Sequence, residues 1–197
     1  FVQTGHFIEE VRHQHTHDVN VTFYGQEKAD LNSKLARMNL AVHGLEGNIR
    51  IGNTFYEDHH QLLGQCDFVM ANPPFNVDGV QLAKIKGQVD NRLPFGLPGT
   101  TAKSKAKAEG EAISNANSLW IQYFYSYLNS TGRAGFVMAS SASDAGNKDK
   151  EIRQKLVETG HVDVMMSIGT KFFYTRSLPC MLWFFDKGKP HELLDTV

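Results

Sequence analysis

The stretch that decides the fold lies near the middle of the chain and reads Asp67-Phe68-Val69-Met70-Ala71-Asn72-Pro73-Pro74-Phe75. Its first five residues are nearly all apolar, which predicts a β-strand that is buried on both faces. The two prolines that follow fix φ and remove two backbone donors, so Asn72 and the carbonyl of Pro73 are held on a rigid turn. In a doubly wound sheet, ligands bind beyond the carboxyl ends of the strands. This turn is therefore the first place to look for a site.

Outward from this stretch, short apolar runs alternate with longer amphipathic runs, as in βαβ units. Helical spacing predicts helices, the first capped by Thr4, at residues 4–17, 28–43, 117–128 and 149–159. Short apolar runs predict strands at residues 19–24, 48–51, 67–71, 135–139, 161–168 and 181–185. The order predicts an α/β fold, a doubly wound and mostly parallel sheet with helices on both faces.

Between residues 77 and 115 the periodic pattern dissolves into a stretch rich in Gly, Pro and Lys. A loop of this length inside a compact domain is uncommon and is usually functional or disordered. We therefore predict a long, mobile loop at 77–115 within a single domain that spans residues 1–197.

The composition excludes several classes of protein. The chain has 197 residues, a net charge of −1, 41% hydrophobic residues and two cysteines, Cys66 and Cys180. These values exclude a disordered chain and a disulfide framework, and they indicate a reducing, cytoplasmic compartment. No apolar run is long enough to span a membrane. The histidines at 13, 15, 17, 59 and 60 lack the spacing of a zinc site, so we expect no metal.

The turn at 72–75 carries a specific chemistry. The Asn72 side-chain oxygen and the Pro73 carbonyl can both accept hydrogen bonds from one planar NH₂ group. Such acceptors favour the positive charge that an amine develops when it attacks a methyl donor. Phe75 offers an aromatic face on which a planar base can stack. The alternative is an ordinary Pro-Pro turn with Phe75 packed in the core.

The motif Asn72-Pro73-Pro74-Phe75 resembles the catalytic motif of the N6-adenine DNA methyltransferases, which use S-adenosylmethionine. Three flanking segments are similar to the methylation (M) subunit of type I restriction-modification systems. These segments are Tyr24-Gly25-Gln26-Glu27, Gly132-Arg133-Ala134-Gly135 and Glu151-Ile152-Arg153. The resemblance covers essentially the whole chain and implies the Rossmann-like fold of S-adenosylmethionine-dependent methyltransferases.

The resemblance implies a cofactor site for S-adenosylmethionine. Glu27 would accept from both ribose hydroxyls, or would be a surface residue that begins a helix. Gly52-Asn53-Thr54-Phe55 resembles the segment that holds the cofactor adenine. The family usually has Asp at the position of Asn53, whose amide oxygen can still accept from the adenine amine. Phe55 would pack on the adenine ring or fill the core.

The late aromatic run Phe172-Phe173-Tyr174-Thr175 resembles the family motif that supports the target base. Phe173 is the first choice for this contact and Phe172 the second, with core packing as the alternative. The target adenine lies inside double-stranded DNA, so it must be flipped out of the duplex. Lys103, Lys105 and Lys107 could touch DNA phosphates or belong to a solvated loop. The implied partners are DNA and the specificity and restriction subunits of a type I complex.

Two other functions stay open at this point. The same chemistry could methylate RNA bases or protein glutamine, or the chain could be a non-catalytic scaffold with a methyltransferase fold. A dinucleotide oxidoreductase is disfavoured because the chain has no GxGxxG motif. The resemblance also places a first strand and a Gly-rich cofactor loop just before residues 4–17. We therefore expect a catalytic domain that is truncated at its N-terminus and that by itself binds cofactor weakly or not at all.

Overall fold

A computed structural model describes residues 1–14, 21–89, 91–101, 110–173 and 177–197. The chain forms two compact units, which are described separately: an N-terminal unit, Phe1–Gln61, and a C-terminal unit, Leu62–Val197. The prediction of one catalytic domain over residues 1–197 stays a prediction. None of the described helices is long and apolar enough to cross a membrane.

The N-terminal unit contains two helices and a two-stranded parallel sheet. Its elements are α1 (Val2–Gln14), β1 (Phe23–Glu27), α2 (Asp30–Val42) and β2 (Gly47–Ile51). The register pairs Phe23 with Gly47 and Glu27 with Ile51, so both strands end at the same edge. Gly44 follows α2 with φ +65°, a conformation that suits glycine. The core of this unit is small, with Phe23, Leu40 and Ile49 buried.

Two boundaries in the N-terminal unit differ from the sequence prediction. The helix predicted at 4–17 begins at Val2, so Thr4 lies inside it and is not its cap. The strand predicted at 19–24 runs instead from Phe23 to Glu27, and residues 15–20 lie outside the described part of the chain. The ends of short elements are hard to predict from sequence. Apolar residues beside a strand continue its hydrophobic pattern although they form none of its backbone hydrogen bonds.

Helix α2 confirms the predicted helix but exposes its apolar stripe. The exposed side chains are Leu31, Leu35, Met38 and Val42, which are 67%, 48%, 59% and 76% exposed. The face that packs inward carries Ser33, Ala36 and Leu40 instead. Two of these inward side chains, Ser33 and Ala36, are small, which allows the helix to approach the sheet closely.

The C-terminal unit is built on a four-stranded sheet. Its strands are β3 (Cys66–Ala71), β7 (Leu128–Ala139), β8 (Val162–Ile168) and β9 (Cys180–Asp186), in the order β3-β7-β9-β8. Strands β3 and β7 pair in parallel, whereas β9 runs antiparallel to both of its neighbours. Because β9 is reversed, the carboxyl ends of β3, β7 and β8 meet at one edge. We call this edge the loop edge.

Helices α4 (Asn117–Tyr127), α5 (Ser141–Asp144) and α6 (Asn147–Glu158) complete this unit. The core contains large side chains with at most 2% exposure, among them Phe136, Met138, Leu156, Trp183 and Phe185. Tyr123 and Phe124 of α4 are also buried, at 0% and 8% exposure. The expected α/β architecture is present, with one antiparallel strand at β9.

The prediction that β3 is buried on both faces is wrong. Val69 and Ala71 pack against the core, but Phe68 and Met70 are 74% and 70% exposed. Successive side chains of a strand point to opposite faces, and in this unit only one face of β3 is covered. Within the described residues β3 pairs with β7 alone.

A glycine allows β3 and β7 to approach closely. The register shifts between Cys66, which pairs with Leu128, and Phe68, which pairs with Arg133, so the start of β7 contains a bulge. A Cβ atom on Gly132, within this bulge, would lie 2.7 Å from the Cys66 carbonyl oxygen. Only glycine avoids that clash with backbone, which accounts for the glycine at this position.

The segment predicted as a loop at 77–115 contains regular structure. It forms β4 (Val80–Gln81), α3 (Leu82–Ile85), a 3₁₀ turn (Lys86–Gln88), β5 (Thr100–Thr101) and β6 (Ala112–Ile113). The three strands make an antiparallel sheet in the order β4-β6-β5. Ile85, Leu93 and Ile113 are fully buried. Elements of two to four residues are too short to show a period, so the sequence pattern missed them. Residues 103, 105 and 107 lie outside the described chain.

Candidate active site

The turn after β3 sits at the loop edge of the C-terminal unit. Asn72 is exposed, Pro73 is buried and Phe75 is half-buried. The Asn72 side chain makes no hydrogen bond to any other residue in the described part of the chain. Its amide oxygen is thus available to accept from a ligand, on a backbone that two prolines hold rigid.

A cluster of polar side chains lies directly behind this turn. The backbone N–H of Asn76 donates to Asn117 Oδ1 at 2.9 Å. Asn76 Oδ1 accepts from Asn117 Nδ2 at 2.9 Å, from Asn115 Nδ2 at 3.0 Å and from Ser141 Oγ at 3.2 Å. We call these four residues the Asn76 cluster. Sequence reasoning missed the cluster, because its members come from three separate segments.

Two further loops follow strands that end at the same edge. The segment after β7 carries Ser141 and begins α5, while the segment after β8 carries Phe172 and Phe173. The two rings make an edge-to-face pair with centroids 5.2 Å apart, and they are 70% and 42% exposed. Neither ring belongs to the described core of this unit, so the alternative of core packing does not hold for this pair. Residues 174 and 175 of the predicted aromatic motif lie outside the described chain.

The predicted cofactor residues come together in the N-terminal unit. Glu27 ends β1 and Asn53 follows β2, so both lie at the carboxyl edge of the parallel pair. Glu27 Oε1 accepts from the N–H of Ala29 at 2.9 Å, which leaves the carboxylate with further lone pairs. Asn53 Oδ1 accepts from the N–H of Phe55 at 3.1 Å. Phe55 itself is buried, at 8% exposure.

Two residues that sequence reasoning did not assign to the site hold the loop after β2 in place. Gln26 Nε2 donates to Thr54 Oγ1 at 3.3 Å and to the Glu57 carbonyl at 3.0 Å, and Gln26 Oε1 accepts from the N–H of His59 at 3.1 Å. Glu57 Oε2 accepts from the N–H of Asn53 at 2.8 Å. A Cβ atom at Gly52 would lie 2.6 Å from the Glu57 and His59 side chains, which would have to shift to admit it. The adjacent motif residues Tyr24-Gly25-Gln26-Glu27 were the available signal.

Among the described residues, three titratable groups with displaced pKa values lie away from the loop edge: Tyr125, His161 and Lys187. Cys180 pairs with Ala139 and Ile168 at the loop edge, and burial raises the pKa of its thiol, which keeps it neutral. Burial lowers the pKa of His161, with a further contribution from Lys187, and burial raises the pKa of Tyr125. Tyr125 Oη and His161 Nδ1 are 2.8 Å apart. His161 precedes β8 and Lys187 follows β9, which places both at the opposite edge of the sheet. The loop edge therefore offers neutral hydrogen-bond acceptors and aromatic rings.

Metal ligands are sparse in the described residues. No group of three or more His, Cys, Asp and Glu side chains in that part of the chain could hold a metal ion. His59 and Glu57 lie 3.3 Å apart but form only a pair. Residues 15 and 17 of the predicted histidine series are outside the described ranges.

Sequence comparison identifies relatives along the whole chain. The profile of the family described as N-6 DNA Methylase matches residues 1–197. The MjaIX type I restriction enzyme methylase subunit of Methanocaldococcus jannaschii is 37% identical over 91% of this chain and 31% of that protein. The HindI methylase subunit of Haemophilus influenzae is 30% identical over 98% of this chain and 40% of that protein. The chain thus spans about a third of the length of these curated relatives.

Solved structures show the same fold. The crystal structure of a type I restriction-modification methyltransferase subunit from Streptococcus thermophilus superposes with a TM-score of 0.73, at 23% identity, over 94% of this chain and 38% of that one. A putative class I S-adenosylmethionine-dependent methyltransferase from Listeria monocytogenes gives a TM-score of 0.65, at 14% identity, over 93% of this chain and 49% of that one. The predicted methyltransferase fold is confirmed. With a match over its full length, the chain belongs to the N-6 DNA methylase family.

Proposed function

We propose that the protein containing this chain methylates the N6 amine of adenine in DNA, as the modification subunit of a type I restriction-modification system. The observation that carries this proposal is Asn72, an exposed and uncommitted amide on a turn made rigid by Pro73 and Pro74. The names of the relatives, which are type I methylase subunits, support the same activity.

The chemistry follows from the acceptors on the turn. Asn72 Oδ1 and the Pro73 carbonyl oxygen each accept one N–H of the target NH₂ group and so hold it in a single orientation. As the nitrogen attacks the methyl carbon, the bond from that carbon to the donor's sulfur would break. The positive charge gained by the nitrogen would be stabilised by these two dipoles until the nitrogen loses one N–H proton to water. Because the prolines fix the backbone beforehand, little reorganisation is needed at the moment of reaction. Phe75 stacks on the base and holds its plane.

S-adenosylmethionine would supply the electrophilic methyl group of the reaction. The residues at the carboxyl edge of β1 and β2 fit this cofactor, since Glu27 retains free carboxylate lone pairs and Asn53 presents an amide acceptor. Glu27 would bind the ribose hydroxyls, and Asn53 the adenine amine. Thr54 and Phe55 complete the adenine segment, with Thr54 held by Gln26. The buried ring of Phe55 would support this segment from below.

The target adenine would have to leave the duplex to reach Asn72. Phe173, with Phe172 beside it, would support the flipped base from the segment after β8, which shares the loop edge with Asn72. Base stacking on aromatic side chains is worth about 1–3 kcal/mol per base. The exposure of both rings supports this assignment.

The proposed partners are double-stranded DNA and the specificity and restriction subunits of a type I complex. The net charge of −1 supports the proposal that this subunit binds DNA together with partner subunits rather than alone. A DNA substrate of this kind also supports the predicted cytoplasmic location.

The test is methyl transfer from labelled S-adenosylmethionine to unmethylated duplex DNA, with the full-length parent protein and its partner subunits. We expect label on adenine N6, and a loss of about 10²–10³-fold in rate in Asn72→Ala, because an acceptor for the developing charge is removed. Asn39→Ala is the matched control, since Asn39 is an exposed asparagine on α2. An unchanged rate in Asn72→Ala would contradict the mechanism. Transfer to RNA or protein alone would favour the alternative substrates, and no transfer would favour a scaffold.

A further inference from the structure

Asn76, the residue directly after the Pro-Pro turn, has an unusual backbone conformation. Its φ is +53°, in the left-handed region that most side chains avoid. Asparagine tolerates this region better than other non-glycine residues, because its short side chain can hydrogen-bond locally. A strained residue next to the candidate catalytic turn invites a functional explanation.

The side chain of Asn76 is bound through its oxygen. Asn76 Oδ1 accepts three hydrogen bonds, from Asn115, Asn117 and Ser141, at 2.9–3.2 Å. The Asn117 side chain makes two hydrogen bonds to Asn76. Its Nδ2 donates to Asn76 Oδ1, and its Oδ1 accepts from the Asn76 backbone N–H. Asn117 is only 5% exposed and begins α4, which is packed into the core. The partner that holds Asn76 is thus itself rigid.

The Asn76 cluster joins three segments of the C-terminal unit. Asn76 follows β3, Asn115 and Asn117 surround the start of α4, and Ser141 follows β7. Backbone hydrogen bonds reinforce the junction, from the N–H of Ala116 to the Val77 carbonyl and from the N–H of Gly79 to the Ile113 carbonyl. Movement of the turn relative to α4 would break several of these bonds together.

The turn has few anchors of its own. Pro73 and Pro74 have no N–H to donate. Among the described residues, Asn76 is the first after β3 that hydrogen-bonds to another segment. The turn is therefore held by β3 at one end and by the Asn76 cluster at the other. A shift of the second anchor would rotate Phe75 and move the Pro73 carbonyl relative to Asn72.

We propose that Asn76, held by Asn117, Asn115 and Ser141, is a positioning residue that sets the orientation of Asn72, Pro73 and Phe75 toward the target base. This role rests on the proposed methyl transfer and adds to it residues outside the four-residue motif. Asn76 acts through the turn and does not touch the reacting atoms.

Two substitutions at residue 76 separate the proposed role from backbone strain. Asn76→Gly keeps the left-handed conformation without strain and removes the acceptor oxygen. Asn76→Asp keeps an oxygen that can accept from Asn115, Asn117 and Ser141. The matched control is Asn129→Gly. Asn129 lies in β7 at the opposite edge of the sheet, where its Nδ2 donates to Asp67 Oδ1 of β3 at 2.8 Å.

The experiment measures kcat and KM for methyl transfer with the full-length protein and its partner subunits, alongside circular dichroism. In Asn76→Gly we expect kcat to fall about 10–100-fold, the scale of a misplaced reacting group, with KM for S-adenosylmethionine changed less than about twofold. Asn76→Asp should recover kcat to within about threefold of the unsubstituted enzyme. Asn129→Gly should leave kcat unchanged.

Three results would overturn the proposal while leaving the proposed function intact, provided that Asn72→Ala is inactive. The first is a normal kcat in Asn76→Gly. The second is an Asp variant as slow as the Gly variant, because the acceptor oxygen would then be irrelevant. The third is a loss of activity matched by an equal loss of folded protein. An active Asn72→Ala variant would instead overturn the proposed function.

Discussion

The two units of the chain carry different sets of candidate functional residues, and their cores differ greatly in size. In the described residues of the N-terminal unit, the core is a cluster of three buried side chains, Phe23, Leu40 and Ile49. The described residues of the C-terminal unit include a cluster of thirteen buried side chains, centred on aromatic residues such as Phe136, Trp183 and Phe185. A small unit buries a smaller fraction of its surface and gains less stability from it.

The two sets of candidate residues are divided between the units in line with this difference in core size. The residues proposed to act on the target base lie in the C-terminal unit, where a large core supports β3, α4 and the Asn76 cluster. The residues proposed to bind the cofactor lie in the N-terminal unit, where Gln26 and Glu57 hold a loop by hydrogen bonds. Positioning of reacting groups needs a rigid frame, whereas a ligand can itself order a binding loop.

The largest effect is expected from matched leucines in the two cores. Leu156 of α6 is 0% exposed and Leu40 of α2 is 3% exposed. We expect Leu156→Ala to lower the free energy of unfolding by about 4 kcal/mol and Leu40→Ala by about 2 kcal/mol, because the smaller core relaxes more around the cavity. Urea denaturation of the 197-residue chain measures both.

Tryptophan fluorescence assigns each effect to a unit, because both tryptophans, Trp120 and Trp183, lie in the C-terminal unit. Leu156→Ala should shift the fluorescence transition. Leu40→Ala should shift only the circular dichroism transition. Equal fluorescence shifts in both variants would show that the two units unfold together, and the comparison would fail.

A smaller effect on stability is expected from substituting either of two glutamines, each of which holds a loop in place by hydrogen bonds. Gln122 is fully buried and contacts the N–H of Phe95 and the carbonyls of Gly96 and Ser118. Gln122→Ala should cost about 2–3 kcal/mol, since it leaves buried backbone groups unsatisfied. Gln26→Ala should cost less than about 1 kcal/mol, because water can replace its bonds.

Urea denaturation measures the change in the free energy of unfolding in Gln122→Ala. Amide hydrogen exchange reports the loss of protection at the His59 N–H in Gln26→Ala. A stability loss in Gln26→Ala as large as that in Gln122→Ala would argue against a difference in solvent access between the two loops.

The smallest effect is a pH dependence in the C-terminal unit. Burial and Lys187 lower the pKa of His161 below its ordinary value of 6.5. Below pH 6.5 the unfolded chain binds a proton that the folded chain resists, so stability falls as the pH falls toward the folded pKa. His161→Gln should reduce this loss, seen as a smaller shift of the fluorescence midpoint between pH values above and below 6.5. An identical pH dependence in the variant would contradict the assignment to His161.

Much of the fold was predictable, because periodicity reports on helices and strands of ordinary length. The helices at α2, α4 and α6 and the strands at β2, β3, β8 and β9 all lie close to their predicted positions. The strand predicted at 135–139 is the second part of β7, which begins earlier, at Leu128. The small sheet of β4, β5 and β6 was not predictable, since strands of two residues have no period. The prediction that β3 is buried on both faces was wrong, because hydropathy does not show which face of a strand a neighbour covers.

The sequence by itself determined the family, and it predicted the chemistry of the turn at residues 72–75. The motif Asn72-Pro73-Pro74-Phe75 carries its own rigidity and its own acceptors, so its meaning does not depend on distant residues. Glu27 and Asn53 could be placed because each follows a recognisable strand. Their roles toward the cofactor, and that of Phe173 toward the base, stay predictions.

Only the tertiary structure decided what holds these residues in place. The Asn76 cluster joins residues 76, 115, 117 and 141, and the Gln26 contacts join residues 26, 54, 57 and 59. The local sequence around these polar groups does not show which partners they bind. They come within 3.3 Å of one another only because the fold brings separate segments together. The physical reason is that a hydrogen bond acts over a few ångströms, a distance that the fold alone can set.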